Sequence, residues 1–190
     1  MEKAWQEIAA RCPKDRPIRG AEVGVWFGST SSALLHAIPN LYLCMIDWYK
    51  TLATPKERNR CSVKACIGQS EQQMCDALRG ATEATNFASE RRTILIMESI
   101  NAAKWVTLNG TTFHFAFLDA DHTYEGTLAA IRAYWPLIEP GGFLCGHDYG
   151  HPSPDWGVAE AVHEFADEVG LPVALGCDGF WCMNKPKGET

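Results

Sequence analysis

The chain has no Cys-x-x-Cys pair, no apolar run near the ~20 residues of a membrane span, and no excess of positive charge. Each absence removes a class of protein. Eight cysteines, at positions 12, 44, 61, 66, 75, 145, 177 and 182, have no zinc-ribbon or redox-motif spacing. Cys44, Cys145 and Cys182 fall inside predicted strands, where cysteine behaves as a small buried hydrophobe, so reduced structural thiols are expected. The N-terminal stretch "MEKAWQEIAARCPKD" carries charge throughout and has no apolar signal core, which with the thiols reads as cytoplasmic. A net charge of −6 argues against nucleic acid as the main partner, and nothing points to a membrane. The longest basic stretch, Lys50 to Lys64, reads as a solvated face or, in a functional role, as a flap that attracts an anionic substrate. Oligomeric state is not legible.

What is present is an alternation of strand-like and helix-like segments in a chain of 190 residues, the size of one domain. "GAEVGVW" (Gly20 to Trp26), "LYLCMID" (Leu41 to Asp47), "RTILIME" (Arg92 to Glu98), "FHFAFLD" (Phe113 to Asp119) and "GGFLCGHD" (Gly141 to Asp148) are continuous apolar runs. Such runs predict strands buried on both faces, hence a parallel sheet covered by helices. Apolar residues at Tyr124, Leu128, Ile131, Trp135 and Ile138 form one helix face, with Pro136 kinking or separating the last turn and Pro140-Gly141 stopping it. Val158, Val162, Phe165 and Val169 repeat the pattern, with Asp155 as N-cap. Ser70 and Gln73 form a capping-box signature for another helix, weakened by Gly80 at its far end. "LPVALG" and "GFWCMNK" predict a terminal antiparallel hairpin. The fold class is α/β: a Rossmann-like doubly wound sheet, mostly parallel, with an N-terminal helix in 1–18 and an extra helical or cap segment in 48–90.

In such a sheet ligands bind beyond the carboxyl ends of the strands. The first strand carries Glu22 in an apolar run and leads into "GVWFGSTSS", where Gly24 and Gly28 let backbone approach a ligand and Ser29 opens the next helix. The second ends in Asp47, the position of an acid that accepts ribose hydroxyls, with Trp48 beside it able to stack on an adenine or to pack in the core. The third ends with Glu98 and Ser99, candidates for a base edge. The fourth and fifth end in "FLDADHTYEG" and "GHDYGH", which gather three Asp, three His and two Tyr without one Lys or Arg. Asp119, Asp121, His122, His147 and Asp148 on one rim look like the reactive side of a cleft. Tyr124 and Tyr149 are read as packing or orienting, and His151 and His163 as surface or structural.

"EVGVWFGSTS", "MIDWY", "FLDADHTYEG" and "PGGFLCGHDY", in this order, resemble the class I S-adenosylmethionine-dependent methyltransferases. Within that class the chain most resembles the group of small single-domain O-methyltransferases that includes macrolide-sugar and aminocoumarin-type enzymes. The resemblance spans about Arg19 to Lys185 and implies seven strands with the seventh antiparallel. It implies that Glu22, Gly24 and Gly28 hold the methionine end of the cofactor and Asp47 the ribose. Ser99 would lie near the adenine, and Asp119 beside the methionine moiety or a metal. Trp26 stands where many members have a third glycine. His147-Asp148 stands where metal-dependent relatives have two adjacent Asp. Asp119, Asp148 and His147 are therefore the metal-ligand candidates, with Mg²⁺ suited to the oxygens and Mn²⁺ to an added imidazole. The expected reaction is methyl transfer to a hydroxyl of a small molecule, with Asp121 or His122 as base and His147 next. An NAD-dependent dehydrogenase shares the acid after the second strand but requires G-x-G-x-x-G, which is absent here. A non-catalytic cofactor-binding module and a metal-dependent hydrolase stand as further rivals.

Overall fold

The computed structural model describes residues 3–50, 70–153 and 156–188. Seven strands form one sheet in the order β3-β2-β1-β4-β5-β7-β6. These are β1 Ile18–Val23, β2 Leu41–Asp47, β3 Arg92–Ile96, β4 Phe113–Leu118, β5 Ile138–Gly146, β6 Ala174–Leu175 and β7 Trp181–Asn184. The first five pair in parallel, and β7 pairs antiparallel with both β5 and β6. The order reverses between β1 and β4, which opens a crevice at their carboxyl ends.

Among the described residues six helices cover the faces: α1 Ala4–Arg11, α2 Ser29–Ala37, α3 Glu71–Ala84, α4 Ser99–Leu108, α5 Tyr124–Tyr134 and α6 Val158–Val169. Ile8 of α1, Leu34 and Leu35 of α2 and Ala81 of α3 bury one face of the sheet with Leu43, Phe115 and Cys145. Ala103 and Val106 of α4, Ile131 and Tyr134 of α5 and Val162 and Phe165 of α6 bury the other with Val23, Ala116 and Trp181. Every residue of β4 is buried, as its uninterrupted apolar run requires. Trp5 of α1 packs against the first of these faces. No helix among the described residues is long and apolar enough to cross a membrane.

Several expectations are adjusted. β3 is an edge strand and half exposed, so its apolar run does not mark burial on both faces. Helix α5 stops at Tyr134, and Pro136 sits in a separate 3-10 turn, Trp135–Leu137. Pro140-Gly141 therefore does not end the helix but lies inside β5, where Gly141 has φ 81° and the register to β4 slips. Gly157, not Asp155, precedes α6 at the N-cap; Asp155 lies outside the described residues. The Ser70–Gln73 capping box forms as expected, and α3 runs through Gly80, against which the Phe27 ring packs. Of the 48–90 segment, 51–69 lie outside the described residues, as does the basic stretch beyond Lys50. The six described cysteines are free thiols.

Candidate active site

Glu22 lies in β1 with 1% of its surface exposed, and Ser31 of α2 donates a hydrogen bond to it. Burial pushes its carboxyl up to about 8 against the pull of that bond, and the negative charges of Asp119 and Asp47 add to the rise. At neutral pH it is largely protonated. Beyond it the chain turns at Gly24, whose N–H bonds Ile46 O at 2.9 Å. Gly24 has φ 93°, and a Cβ there would stand 2.0 Å from the Asp119 carbonyl oxygen, so only glycine fits between β1 and β4. Gly28, φ 77°, heads α2 with Ser29 as its first residue, and presses on Ala81 of α3.

Asp47 closes this turn. One carboxylate oxygen accepts the Val25 and Trp26 N–H groups, each at 2.9 Å, and the other accepts Tyr49 N–H at 3.0 Å. A carboxylate has about four acceptor positions, so capacity remains for a further donor. Trp26 takes φ 53° and is exposed, its carbonyl held by the Tyr49 hydroxyl at 3.0 Å. Trp48 lies beside Asp47, half-buried, with Lys50 Nζ 5.4 Å from its ring centre. On the same side of the crevice, beyond β3, Glu98 caps α4 through Asn101 N–H at 3.1 Å, and Ser99 begins that helix, its carbonyl accepting the Tyr134 hydroxyl at 2.9 Å.

At the ends of β4 and β5 the rim residues separate into two groups. His122 Nε2 lies 2.9 Å from an Asp148 oxygen and 3.3 Å from one of Asp119. Their ligand atoms all fall within 4.8 Å of one another. Burial alone would lower the His122 pKa, but the two carboxylates outweigh it and hold the ring at about 9. Burial would raise Asp148, yet its bonds from His122 and His147 keep it well below the usual carboxylate range. Asp148 also has φ 61°, a strained conformation for a non-glycine residue of the kind that gathers at functional sites.

Asp121 is not in this group. Its carboxylate accepts Thr123 N–H at 2.9 Å and the Thr123 hydroxyl at 2.7 Å at the entry to α5, and burial raises its pKa despite them. Nor does His147 join the ligand cluster: Nδ1 turns onto the other Asp148 oxygen at 3.0 Å. The nitrogen facing both carboxylates is that of His122, whereas the expected ligand candidates were Asp119, His147 and Asp148. Two carboxylates and one imidazole converging on a single point suit a divalent cation.

The sequence reading missed Trp156. Its ring stacks on His122 at 4.3 Å and on His151 at 3.8 Å. Gly157 N–H bonds His122 O at 2.9 Å and fixes this loop over the rim. A tryptophan followed by glycine just before a helix was the only signal. Tyr124 and Tyr149 do orient their surroundings, through Glu164 and His163.

Residues 21–149 match the family described as "Methyltransferase domain". A search of curated proteins finds no match. Among solved structures, an O-methyltransferase family protein from Burkholderia thailandensis has TM-score 0.63 at 13% identity, covering 96% of this chain and 55% of that one. An O-methyltransferase from Bacillus cereus in complex with SAH has TM-score 0.62 at 15% identity, covering 96% and 79%. CalS11, calicheamicin methyltransferase, has TM-score 0.65 at 15% identity, covering 96% and 76%. At these identities the structures speak for the fold: a seven-stranded class I methyltransferase sheet.

Proposed function

Since the chain belongs to the methyltransferase domain family, we propose that it transfers the methyl group of S-adenosylmethionine to a hydroxyl of a small molecule, such as a sugar or other hydroxylated metabolite. The observation that carries the reading is the placement of His122 between Asp119 and Asp148 beyond the strand ends, across the crevice from Asp47. The O-methyltransferase neighbours, one of them holding SAH, support the same cofactor and acceptor atom. The dehydrogenase reading loses its support, because the matched family is a methyltransferase domain.

On this reading the spare acceptor capacity of Asp47 takes a ribose hydroxyl, Trp48 and Ser99 flank the adenine, and the Gly24–Ser29 turn lies against the methionine end. Glu22, protonated, offers that end a neutral partner, and Asp119 neighbours the sulfonium. The methyl group is already activated, so the protein's task is to align the acceptor oxygen and remove its proton. His122 is assigned that proton, and His147 is second; Asp121, held at its helix entry, is better placed to position the loop. A divalent ion held by Asp119, His122 and Asp148 would supply charge that lowers the acceptor hydroxyl's pKa. The net charge of −6 favours a small-molecule acceptor over nucleic acid.

The test is calorimetric titration with S-adenosylmethionine and its demethylated product, with and without Mg²⁺ or Mn²⁺. Saturable binding is expected. No binding to correctly folded protein under any of these conditions overturns the reading.

A further inference from the structure

Beneath the Asp119–His122–Asp148 cluster, between the sheet and helices α4, α5 and α6, lies a cavity of about 20 Å³. His122, His147 and Trp181 all line it. Three buried nitrogens, and no other buried side-chain polar atoms among the described residues, lack a hydrogen-bond partner: His122 Nδ1, His147 Nε2 and Trp181 Nε1. Each belongs to a side chain at least nine-tenths buried, with exposures of 8%, 9% and 1%. The three unpaired atoms thus belong to three residues that line one cavity.

The fold brings them there by simple means. Trp181 of β7 stands opposite Gly146 of β5 in the antiparallel register. A Cβ on Gly146 would lie 2.6 Å from the indole, so the missing side chain is what admits the ring beside His147, the next residue along. The other nitrogen of each imidazole is already engaged: His122 Nε2 with Asp119 and Asp148, and His147 Nδ1 with Asp148. The free nitrogens therefore point away from the carboxylates.

We infer that this cavity is the site of one ordered water that accepts the Trp181 indole N–H and bridges it to His122 Nδ1 and His147 Nε2. One water requires roughly 10–15 Å³ and two to four polar partners, and both conditions are met. The indole N–H is donor only, so the occupant must accept there. With its other nitrogen donating to a carboxylate, each free ring nitrogen accepts in the neutral imidazole and donates in the charged one, and water can answer either. The space is too small for an organic ligand. Burying three polar groups unpaired would carry the full desolvation cost of each, which the bridge removes. Trp181 then becomes a positioning residue: through the water it fixes the rotation of the two rings that flank Asp148, in the way outer hydrogen bonds orient metal-binding or catalytic histidines. The catalytic value of that positioning rests on the methyl-transfer reading, while the water site does not.

The first test uses the wild-type protein alone. A crystal structure at a resolution that orders buried solvent should show one peak within 3.2 Å, roughly, of all three nitrogens. The amide NMR spectrum should show the Trp181 indole proton exchanging magnetisation with a long-lived water. A dry cavity, or a water that does not touch Trp181, overturns the inference. In Trp181→Phe the peak should vanish, and the imidazole carbon resonances of His122 and His147 should shift while those of His36 stay fixed. Unmoved histidine resonances in a folded variant without the water would overturn the positioning role. Where a turnover assay exists, the variant should lose about tenfold in kcat with little change in the cofactor KM, and an unchanged kcat would count against positioning. Failure to bind S-adenosylmethionine would sink the methyl-transfer reading and leave the crystallographic result standing.

Discussion

His122 and Asp148 meet at 2.9 Å although they leave different strands, one after β4 and the other after β5. The pairing of those strands, Leu118 opposite Gly146, sets the two loops side by side. Asp119 completes the cluster from the same loop as His122. The chemistry expected of this rim hangs on that three-residue meeting, and it can be probed directly.

Replacing either carboxylate should remove divalent-cation binding. In Asp119→Ala and Asp148→Ala, Mn²⁺ titration followed by electron paramagnetic resonance should show affinity weakened at least about tenfold, with binding of the demethylated cofactor product within a few-fold of wild type. His147→Ala should weaken Mn²⁺ far less than His122→Ala does. The reverse ranking would restore the ligand set expected from sequence.

The rate of methyl transfer should follow the proton on His122. Without a divalent ion this ring holds its proton up to about 9, so the rate at fixed substrate should climb as pH rises through that region. Bound Mn²⁺ would take that same nitrogen, so in its presence the profile should no longer follow the His122 proton and should reflect the acceptor hydroxyl acidified by the ion. His122→Ala should lose at least about 100-fold in kcat. A rate flat from pH 6 to 9 in the metal-free enzyme would remove His122 from proton transfer.

Glu22 should make the protein less stable as pH rises. Its folded pKa, about 8, exceeds the ordinary carboxyl value of 4.5, so the folded state binds the proton more tightly. The associated stability is fully present below 4.5 and is lost progressively as pH climbs toward 8, on the order of a few kcal/mol in all. Melting temperature measured from pH 5 to 9 should therefore fall more in wild type than in Glu22→Gln. Parallel curves for the two proteins would contradict the buried, protonated state.

The left-handed backbone at Asp148 separates two substitutions that abolish the same carboxylate. Asp148→Gly should be more stable than Asp148→Ala by about 1 kcal/mol, since glycine takes φ 61° without strain. Chemical denaturation of both variants gives the comparison. An alanine variant as stable as the glycine one would mean that the loop relaxes.

Much of this was legible in the residues themselves. β2 runs from Leu41 to Asp47 as its apolar run demanded, and the acid at its end sits in the crevice. The capping box at Ser70 depends on neighbours in sequence, which is why it could be read, whereas β1 and β5 begin at Ile18 and Ile138, ahead of the runs read from Gly20 and Gly141. Choosing between His122 and His147 could not be done that way. It depends on which ring nitrogen faces across the β4–β5 junction, a matter of side-chain direction set by tertiary pairing. The spending of Asp121 on Thr123 is local, yet it competes with an equally plausible role in the rim, and only coordinates decide. Trp156 was invisible for a similar reason, since its partners His122 and His151 are joined to it only through the loop above the site.

The seam between Gly24 and Asp119 has a consequence for redesign. Apart from Asp119, the residues read as gripping the cofactor come before position 100 and the reactive rim after position 118, so the domain looks divisible into two exchangeable halves. Yet the glycine backbone lies flush against the Asp119 carbonyl, and Asp119 N–H bonds Val23 O at 2.8 Å. A graft of the later half from a relative would carry its own acceptor preferences, but it would work only if its loop returned that carbonyl to the same spot. A Cβ at position 24 would stand 2.0 Å from that carbonyl oxygen, so the joint, unlike the surface around it, admits no added bulk.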